Sequence, residues 1–280
     1  MPKKLIQNFA FKFKGSIWKM LLDDNEQLLV LEIRDNQNRI CSFATIDLIK
    51  NELLWKDHKF SETWWIGVSA VKARSILFYI YLDEQNPVPE SYFLFSIDKK
   101  SVIWESKDFK FLTVIDEGFL GHILNKNQYQ ELIVEAGSGD MVKLSPDSTY
   151  LGTKSAVLPK QENKLTYYPF HYPEETGYFD TIKKYLVLNH NIHPVKAIDY
   201  LELGTAIIIS FYLYRLGSQK DNYTLDNFLL ILNKEGKQVF LEKIEENLPG
   251  IGMGIFFVVK NQLIFSTNKS EIKSYQIDSL

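Results

Sequence analysis

Cysteine is nearly absent from this chain, since Cys41 is the single one among 280 residues. No disulfide can form within the chain, which excludes the disulfide-stapled class of small domain. A chain of this length buries a large core without such bonds. Cys41 alternates with apolar neighbours in a strand-like run, so we expect its thiol in or near the core. A low cysteine content is also typical of a reducing compartment.

Long apolar runs are lacking as well. The longest, from Thr205 to Leu213, has nine residues, whereas a membrane-spanning helix needs about 20. No apolar stretch of signal-peptide length follows the N-terminus, where lysines interrupt the apolar residues. We therefore expect no membrane span, no export signal and a cytoplasmic location.

The chain carries little excess charge of either sign, with a formal net charge of −3 at pH 7. This charge argues against a general nucleic-acid binder, which needs a basic surface. The first twenty residues do contain five lysines and no acid. Phe9, Phe11 and Phe13 alternate there with alanine and lysine, which predicts a half-buried strand rather than a surface for stacking bases. We expect no nucleic-acid partner.

A repeated motif is the main positive signal. The segment from Ala44 to Asp47 precedes a strand that ends in Trp55, and the segment from Phe95 to Asp98 precedes one that ends in Trp104. The two tryptophans lie 49 residues apart (104 minus 55). Looser copies follow at Leu230–Asn233 and at Tyr275–Asp278, where the chain ends. Repetition at this interval predicts a repeat architecture.

We predict five pairs of strands around these motifs, because short β-branched and aromatic runs alternate with turn residues. Their second strands start near 27, 75, 131, 206 and 262, at steps of 48, 56, 75 and 56 residues. A propeller blade takes roughly 40–50 residues. The predicted pairs are Ile17–Leu22 with Gln27–Arg34, Trp64–Val71 with Ser75–Leu82, Leu112–Leu124 with Glu131–Glu135, Val195–Leu201 with Ala206–Tyr214, and Ile251–Val259 with Gln262–Ser266.

Three of the pairs are followed by a third strand and an outer strand, which gives a four-stranded antiparallel module. The third pair is followed by a more degenerate one, Met141–Leu144 with Tyr150–Leu158. The sequence therefore predicts an all-β fold, a β-propeller of five blades that occupies residues 1–280 as a single domain. Residues 155–192 form an insertion or a degenerate blade, and six blades are the alternative. Within that segment Phe179, Ile182 and Leu186 lie on one face of a possible short helix.

The termini complement each other. The last blade stops after its third strand, and residues 3–13 resemble residues 99–111, which include an outer strand. We expect the N-terminal strand to complete the last blade and close the ring, because this pairing removes an open sheet edge.

The Ile-Asp…Trp pattern at Asp47 with Trp55 and at Asp98 with Trp104 resembles that of quinoprotein-like and other tryptophan-docked propellers. This resemblance implies that the tryptophans pack between blades. The Thr-Gly that follows the Asp in the quinoprotein motif is absent, so we predict no quinone and no other cofactor. The whole chain resembles an uncharacterised bacterial β-propeller family, a domain of unknown function, for which no catalytic residues are implied.

Histidines form one candidate site. His190 and His193 have H-x-x-H spacing, His171 lies 19 residues before His190, and Asp199 lies six residues after His193. Neutral imidazoles with a carboxylate are ligands for zinc. H-x-x-H places two ligands on one face only within a helix, and Pro194 predicts a helix end. We therefore predict loop histidines and no bound metal.

Carboxylates and tryptophans form the other candidates. A glycosidase needs two carboxylates about 5–10 Å apart across a cleft. Asp116 and Glu117 are neighbours and point apart, so Asp116 would have to meet Glu62 or Glu246 from another blade. Trp64 and Trp65 place one ring on each side of a strand, and an exposed tryptophan is a frequent binding residue.

These signals favour a non-enzymatic scaffold that binds a protein or small-molecule ligand on its loop-rich face, as a monomer. The alternative is a hydrolase or sugar-binding module with an acidic or histidine-containing site at the mouth of the central channel. Fold class alone does not decide between them.

Overall fold

The computed structural model describes residues 5–82, 84–86, 88–125, 128–144, 166–204, 206–215, 223–252 and 254–277. The chain divides into two compact units. The first contains Met1–Lys14 with Leu165–Leu280, and the second contains Gly15–Lys164. The expected organisation as a single domain stays a prediction.

In the part of the second unit that the structure describes, there are three four-stranded antiparallel sheets, each built from strands in chain order. Consecutive strands are joined by short connections, which is the pattern of an antiparallel meander. The strands are β2 (Ser16–Leu22), β3 (Leu28–Asp35), β4 (Ile40–Asp47) and β5 (Glu52–His58); β6 (Ile66–Lys72), β7 (Ser75–Tyr81), β8 (Pro89–Ser96) and β9 (Ser101–Ser106); and β10 (Lys110–Ile115), β11 (Gly118–Asn125), β12 (Gln128–Glu135) and β13 (Met141–Lys143).

The third of these sheets differs from the prediction. The run Leu112–Leu124, predicted as one strand, is a hairpin of β10 and β11 that turns at Asp116 and Glu117. Two consecutive acidic residues before a glycine interrupt the apolar run and mark this turn. The prediction of one strand was wrong, and the outer strand predicted at residues 150–158 lies outside the described residues. With β11 as the second strand, the second strands of the three sheets start 47 (75 minus 28) and 43 (118 minus 75) residues apart.

Tryptophans connect neighbouring sheets in this unit. Trp55 of β5 packs against Phe95 of β8, with ring centroids 6.0 Å apart. Trp104 of β9 packs edge-on against Phe109, just before β10, at 5.2 Å. Asp47 ends β4, and its carboxylate accepts the N–H groups of the turn residues Ile49 and Lys50. The expected docking of tryptophans between sheets is confirmed.

Cys41 lies on β4 and is fully buried. Burial raises the pKa of its thiol to about 12. Since the thiolate is the reactive form, we expect no reaction of native protein with a disulfide reagent at pH 8. One thiol per chain should react after unfolding in denaturant, as measured by absorbance. Fast reaction of the native protein would contradict the buried position.

The described residues of the first unit form two five-stranded antiparallel sheets and one helix. The sheets have the orders β1-β22-β21-β20-β14 and β15-β16-β17-β18-β19. The elements are β1 (Ile6–Lys12), β14 (Thr166–Tyr167), β15 (Phe170–Pro173), α1 (Gly177–His190), β16 (Val195–Leu203), β17 (Ala206–Tyr214), β18 (Leu225–Asn233), β19 (Gln238–Leu248), β20 (Phe256–Val259), β21 (Gln262–Thr267) and β22 (Glu271–Gln276).

The N-terminal strand completes the last sheet, as predicted. β1 pairs antiparallel with β22, from Ile6 opposite Gln276 to Lys12 opposite Glu271. Phe9 is buried in this arrangement, so the period-2 pattern of the first residues correctly predicts which side of β1 faces the core. Closure of a complete ring and the number of blades stay predictions.

One short stretch adds a strand to both sheets of the first unit. β14 pairs with β20, and β15, three residues later, pairs with β16. β20 and β16 are the first strands of their four-stranded sets, so β14 and β15 are additional edge strands. The described part of the segment 155–192 therefore contains two short strands and the helix. Residues 155–165 lie outside the described residues.

The helix α1 covers one face of the sheet β15–β19. Thr176 caps its N-terminus by accepting the N–H of Phe179, and Asn191 ends it in the left-handed conformation (φ 54°). Phe179 and Leu186 are fully buried against strands β16 to β18. The predicted helical face is confirmed.

Candidate functional site

A row of polar side chains, buried except for the partly exposed His171, crosses four strands of the sheet β15–β19. Its members are His171 on β15, Asp199 on β16, Ser210 on β17 and Asn227 on β18. His171 is opposite Asp199, and Asp199 is opposite Ser210, so these side chains share one face. Leu229, the residue opposite Ser210, packs in the core between this sheet and the sheet of β20 to β22. The row therefore lies on the face away from α1.

His171 and Asp199 form the titratable part of the row. Their Nδ1 and Oδ1 atoms are 2.7 Å apart. Asp199 is 1% exposed, whereas the His171 side chain is 24% exposed. Burial raises the pKa of Asp199, and the contact with His171 opposes that rise. The carboxylate orients the ring through Nδ1, which leaves Nε2 as the nitrogen for a proton or a ligand.

The row continues inward through neutral groups. Ser210 Oγ donates to Asn227 Oδ1 at 2.8 Å, and both residues are fully buried. Tyr212, opposite Asn227, directs its hydroxyl to Gly252, whose N–H donates to it at 2.9 Å. Burial raises the pKa of Tyr212 to about 12, so the phenol stays protonated at physiological pH. Gly252 belongs to the glycine-containing loop before β20, so this contact joins that loop to β17.

An open cleft of about 270 Å³ lies beyond Asn227. Glu245, opposite Asn227 on β19, lies in its wall together with Lys269, and their charged groups are 3.8 Å apart. Burial raises the pKa of Glu245, and Lys269 opposes the rise. The other lining residues are Glu246, Asn247, Leu248, Pro249 and Asn268.

The opposite face of β15 carries a row of exposed aromatic rings. Phe170 and Tyr172 stand side by side with ring centroids 6.4 Å apart and planes 20° apart. Tyr178, at the start of α1, continues the row at 5.1 Å from Tyr172 and 25°. Phe170 is 67% exposed and Tyr178 is 69% exposed. We call Phe170, Tyr172 and Tyr178 the aromatic row.

Trp64 and Trp65 lie in a braced loop before β6. Glu62 Oε1 accepts both of their backbone N–H groups at 2.8 Å. Arg34 lies 5.1 Å from the Trp64 ring and donates to the carbonyl of Trp64. Arg39 lies over both rings, at 5.9 and 5.6 Å. Both tryptophans are half-buried, so each has a buried and an accessible part.

The predicted carboxylate and histidine sets lie at separate positions. Asp116 and Glu117 are exposed at the β10–β11 turn, whereas Glu62 binds its own loop. His190 ends α1 beside Tyr185, and His193 is exposed in the following loop. Among the residues that the structure describes, no group of three or more His, Cys, Asp or Glu side chains could hold a metal ion.

Two features were missed by sequence reasoning. Ser210 and Asn227 each interrupt a strongly apolar strand, which was the available signal for a buried polar row. Glu32 and Arg34 interrupt β3 in the same way. Their side chains form a buried ion pair at 2.6 Å.

The antiparallel sheets each contain four strands in meander order, and two of them carry one further edge strand. This arrangement, with the last sheet completed from the N-terminus, defines a protein of the β-propeller class. Residues 22–104 match the model of a family described as a domain of unknown function, DUF4905. No curated protein matches the chain.

Several solved structures are similar to the chain. The β-propeller domain of the Trilobed protease from Pyrococcus furiosus is 11% identical, with 96% of this chain and 71% of that chain covered and a TM-score of 0.29. The Dos1 propeller is 9% identical, with coverage of 95% and 73% and a TM-score of 0.32. An oligogalacturonate lyase in complex with manganese is 11% identical, with coverage of 100% and 68% and a TM-score of 0.29.

α1 is too short and too polar to cross a membrane, and the described part of the chain offers no other helix that could.

Proposed function

We propose that this protein is a non-enzymatic binding scaffold and that the aromatic row is its principal ligand-binding surface. The observation that carries the proposal is the row itself: three neighbouring rings, nearly parallel, on a strand edge and a helix start. Large exposed apolar patches are uncommon on soluble proteins unless they bind something. Aromatic side chains also dominate binding energies at interfaces.

The scaffold holds the row in place, which lowers the entropic cost of binding. β15 is hydrogen-bonded to β16 along its four residues. The next residues lead directly into α1, whose buried Phe179 and Leu186 anchor the helix to the sheet. Tyr178 therefore stands on a fixed helical turn rather than on a loose loop.

We propose the loop of Trp64 and Trp65 as a second binding surface, with Glu62 as its brace. The contacts of Arg34 and Arg39 with the two rings support a preformed surface of cations and aromatic faces. We further propose that the protein acts as a cytoplasmic monomer. The buried, unbridged Cys41 supports this location.

Binding should depend on the aromatic row, and Phe170→Ala/Tyr178→Ala tests this. The two probes are a glycan array and a random peptide display library, each applied to the wild-type protein. We expect the double variant to weaken binding of the selected ligands at least tenfold in titration calorimetry, because alanine removes most of the stacking surface. Its unfolding midpoint should stay close to the wild-type value, since both rings are mostly exposed.

Tyr129→Ala is the matched control, because Tyr129 is 74% exposed on a hairpin of the second unit and should not affect binding. Trp65→Ala tests the second surface in the same assay. Absence of any ligand from both probes, or ligands that bind the double variant normally, would refute the aromatic row as the binding surface.

A second candidate function rests on the pair of His171 and Asp199. A half-exposed imidazole oriented by a buried carboxylate is a common arrangement for acid–base catalysis. We propose this pair as the site of the alternative hydrolase activity, with His171 as the proton-transferring group. His190, His193, Asp116 and Glu117 stay candidate residues for a sugar or substrate.

If the pair is catalytic, a panel of chromogenic glycoside and ester substrates should reveal turnover, and His171→Ala should lower it at least a hundredfold. Asp199→Asn keeps the shape of the side chain and should lower kcat with a smaller change in KM. His193→Ala is the control for an exposed histidine. Turnover that is unchanged in His171→Ala would exclude this role.

A further inference from the structure

The cleft beside Glu245 lies between two segments of the first unit. One wall is the end of β19 and the residue after it, residues 245–249. The other wall is the turn between β21 and β22, which contains Asn268 and Lys269. The backbone N–H of Asn268 donates to the carbonyl of Ile244 at 2.7 Å. This hydrogen bond joins the two walls, so the side chains of the cleft project from connected backbone.

Glu245 and Lys269 form an ion pair without a hydrogen bond. The Glu245 side chain is 16% exposed, and its Oε1 atom lies 3.8 Å from Lys269 Nζ. A charge-assisted hydrogen bond is typically about 2.7–2.9 Å long. Among the residues that the structure describes, no group donates a hydrogen bond to this carboxylate. A largely buried carboxylate without hydrogen bonds is costly, so its oxygens are available to accept from a ligand in the cleft.

A neighbouring ion pair shows that β19 and the hairpin of β21 and β22 can approach more closely. Glu242 Oε1 on β19 lies 2.5 Å from Nζ of Lys273 on β22. Neither residue lines the cleft. The longer separation therefore occurs at the pair that faces the cleft, where a bound group has room to reach both charges.

The cleft presents one charge of each sign to a ligand. Glu246 also lines the cleft, but its carboxylate accepts from Lys243 Nζ at 3.0 Å and from Arg215 Nη1 at 3.3 Å. These two cations balance the charge of Glu246, whereas Glu245 and Lys269 balance each other. A cationic ligand would give this pair a net positive charge, and an anionic ligand would give it a net negative charge. A zwitterion preserves neutrality and supplies a partner to each group.

We propose that this cleft binds a free α-amino acid. The ammonium group of the ligand donates to the Glu245 carboxylate, and its carboxylate accepts from Lys269 Nζ. The side-chain amides of Asn247 and Asn268, which also line the cleft, offer further donors and acceptors. The volume of about 270 Å³ is just below the range of about 300–1,000 Å³ for pockets that bind drug-sized ligands. This size favours a single amino acid over a peptide.

This site is separate from the aromatic row. The row lies on β15 and at the start of α1, whereas the cleft is at β19, the opposite edge of the same sheet. Four strand spacings of about 4.8 Å put the two edges roughly 19 Å apart. Binding in the cleft therefore does not rest on the proposed function, and Phe170→Ala/Tyr178→Ala should bind the amino acid with unchanged affinity.

NMR titration of the isotope-labelled full chain with each common L-amino acid tests this proposal. We expect at least one of them to bind saturably and to shift the amide resonances of Asn247 and Asn268. Glu245→Gln keeps the side-chain size and removes the charge. It should weaken binding about tenfold or more, because hydrogen bonds between charged groups are the strong ones. Glu242→Gln removes a charge on the same strand outside the cleft, so this matched control should bind normally.

Derivatives of the selected amino acid test both ends of the ligand on the wild-type protein, which covers the case that Glu245→Gln does not fold. N-acetylation removes the ammonium charge and a methyl ester removes the carboxylate charge, so each derivative should bind about tenfold more weakly or worse. Absence of saturable binding by every amino acid at millimolar concentration would overturn the proposal. So would normal affinity of both derivatives or of Glu245→Gln, or resonance shifts confined to residues outside the cleft.

Discussion

Removal of residues 1–13 should abolish stable folding of the first unit. This deletion takes away β1, and with it the buried side chains of Leu5, Phe9 and Phe13. Truncation of one buried phenylalanine alone costs about 3–5 kcal/mol, while a whole domain is stable by about 5–15 kcal/mol. The deletion also exposes the edge of β22, and an unpaired strand edge promotes aggregation.

Urea unfolding monitored by circular dichroism, together with amide hydrogen exchange along β16 to β22, measures this effect, because all five tryptophans lie in the second unit. If the deletion variant is insoluble, Phe9→Ala/Phe13→Ala tests the same packing in the full chain. Ile6→Ala is the matched control on the same strand, because Ile6 is 62% exposed and should change the free energy of unfolding by less than about 0.5 kcal/mol. An added peptide of residues 1–14 should restore the deletion variant. An unchanged unfolding midpoint in the truncated protein would refute the role of β1.

Glu32→Ala should be the most damaging single substitution of a charged residue in the second unit. Glu32 is 1% exposed, and its Oε1 accepts from Arg34 Nε at 2.8 Å and Nη2 at 2.6 Å. Its Oε2 accepts the N–H of Val68 on the neighbouring sheet at 3.1 Å. Alanine leaves the Arg34 charge and a backbone N–H without these acceptors, and loss of one partner of a buried pair costs about 3–5 kcal/mol.

Chemical denaturation of further variants separates the contribution of the ion pair to the free energy of unfolding from the contribution of each side chain. Glu32→Gln keeps the shape and some hydrogen bonds, so its loss should be intermediate. Glu32→Leu/Arg34→Leu should cost less than the sum of the single substitutions, because neither charge is then left unpaired. Glu52→Ala, an exposed carboxylate on β5, is the control. A loss below about 1 kcal/mol for Glu32→Ala would show that the pair contributes little to stability.

Local patterns predicted most of the strands. The alternation of Phe9, Phe11 and Phe13 identified β1 and its inner face, and the Asp–Trp spacing identified the contact between sheets. Both patterns depend on residues close in the chain. The third sheet was harder, because the apolar run from Leu112 to Leu124 has no proline or asparagine at its turn. There, Asp116 and Glu117 have the residue type of a candidate site in the sequence, whereas in the structure they form the turn between β10 and β11.

The polar row could not be predicted in the same way. His171 and Asp199 are 28 residues apart, and Ser210 and Asn227 are 17 residues apart. Their proximity depends on the register of four strands, and a shift of one residue would move each side chain to the other face. The spacing of His190 and His193 was more visible in the sequence, although each histidine has different neighbours in the structure. Long-range pairing, rather than local spacing, assembles this site.

The stretch from Thr166 to Pro173 should influence how the first unit unfolds. Since β14 and β15 belong to different sheets but to one short piece of backbone, this stretch acts as a tether between them. Separation of β14 or β15 from its sheet would displace the other strand as well, so the edges of β20 and β16 should become accessible to solvent together. A protease that cuts between Tyr167 and Tyr168 would convert one coupled opening into two independent ones, and amide exchange along β16 and β20 would lose its common rate.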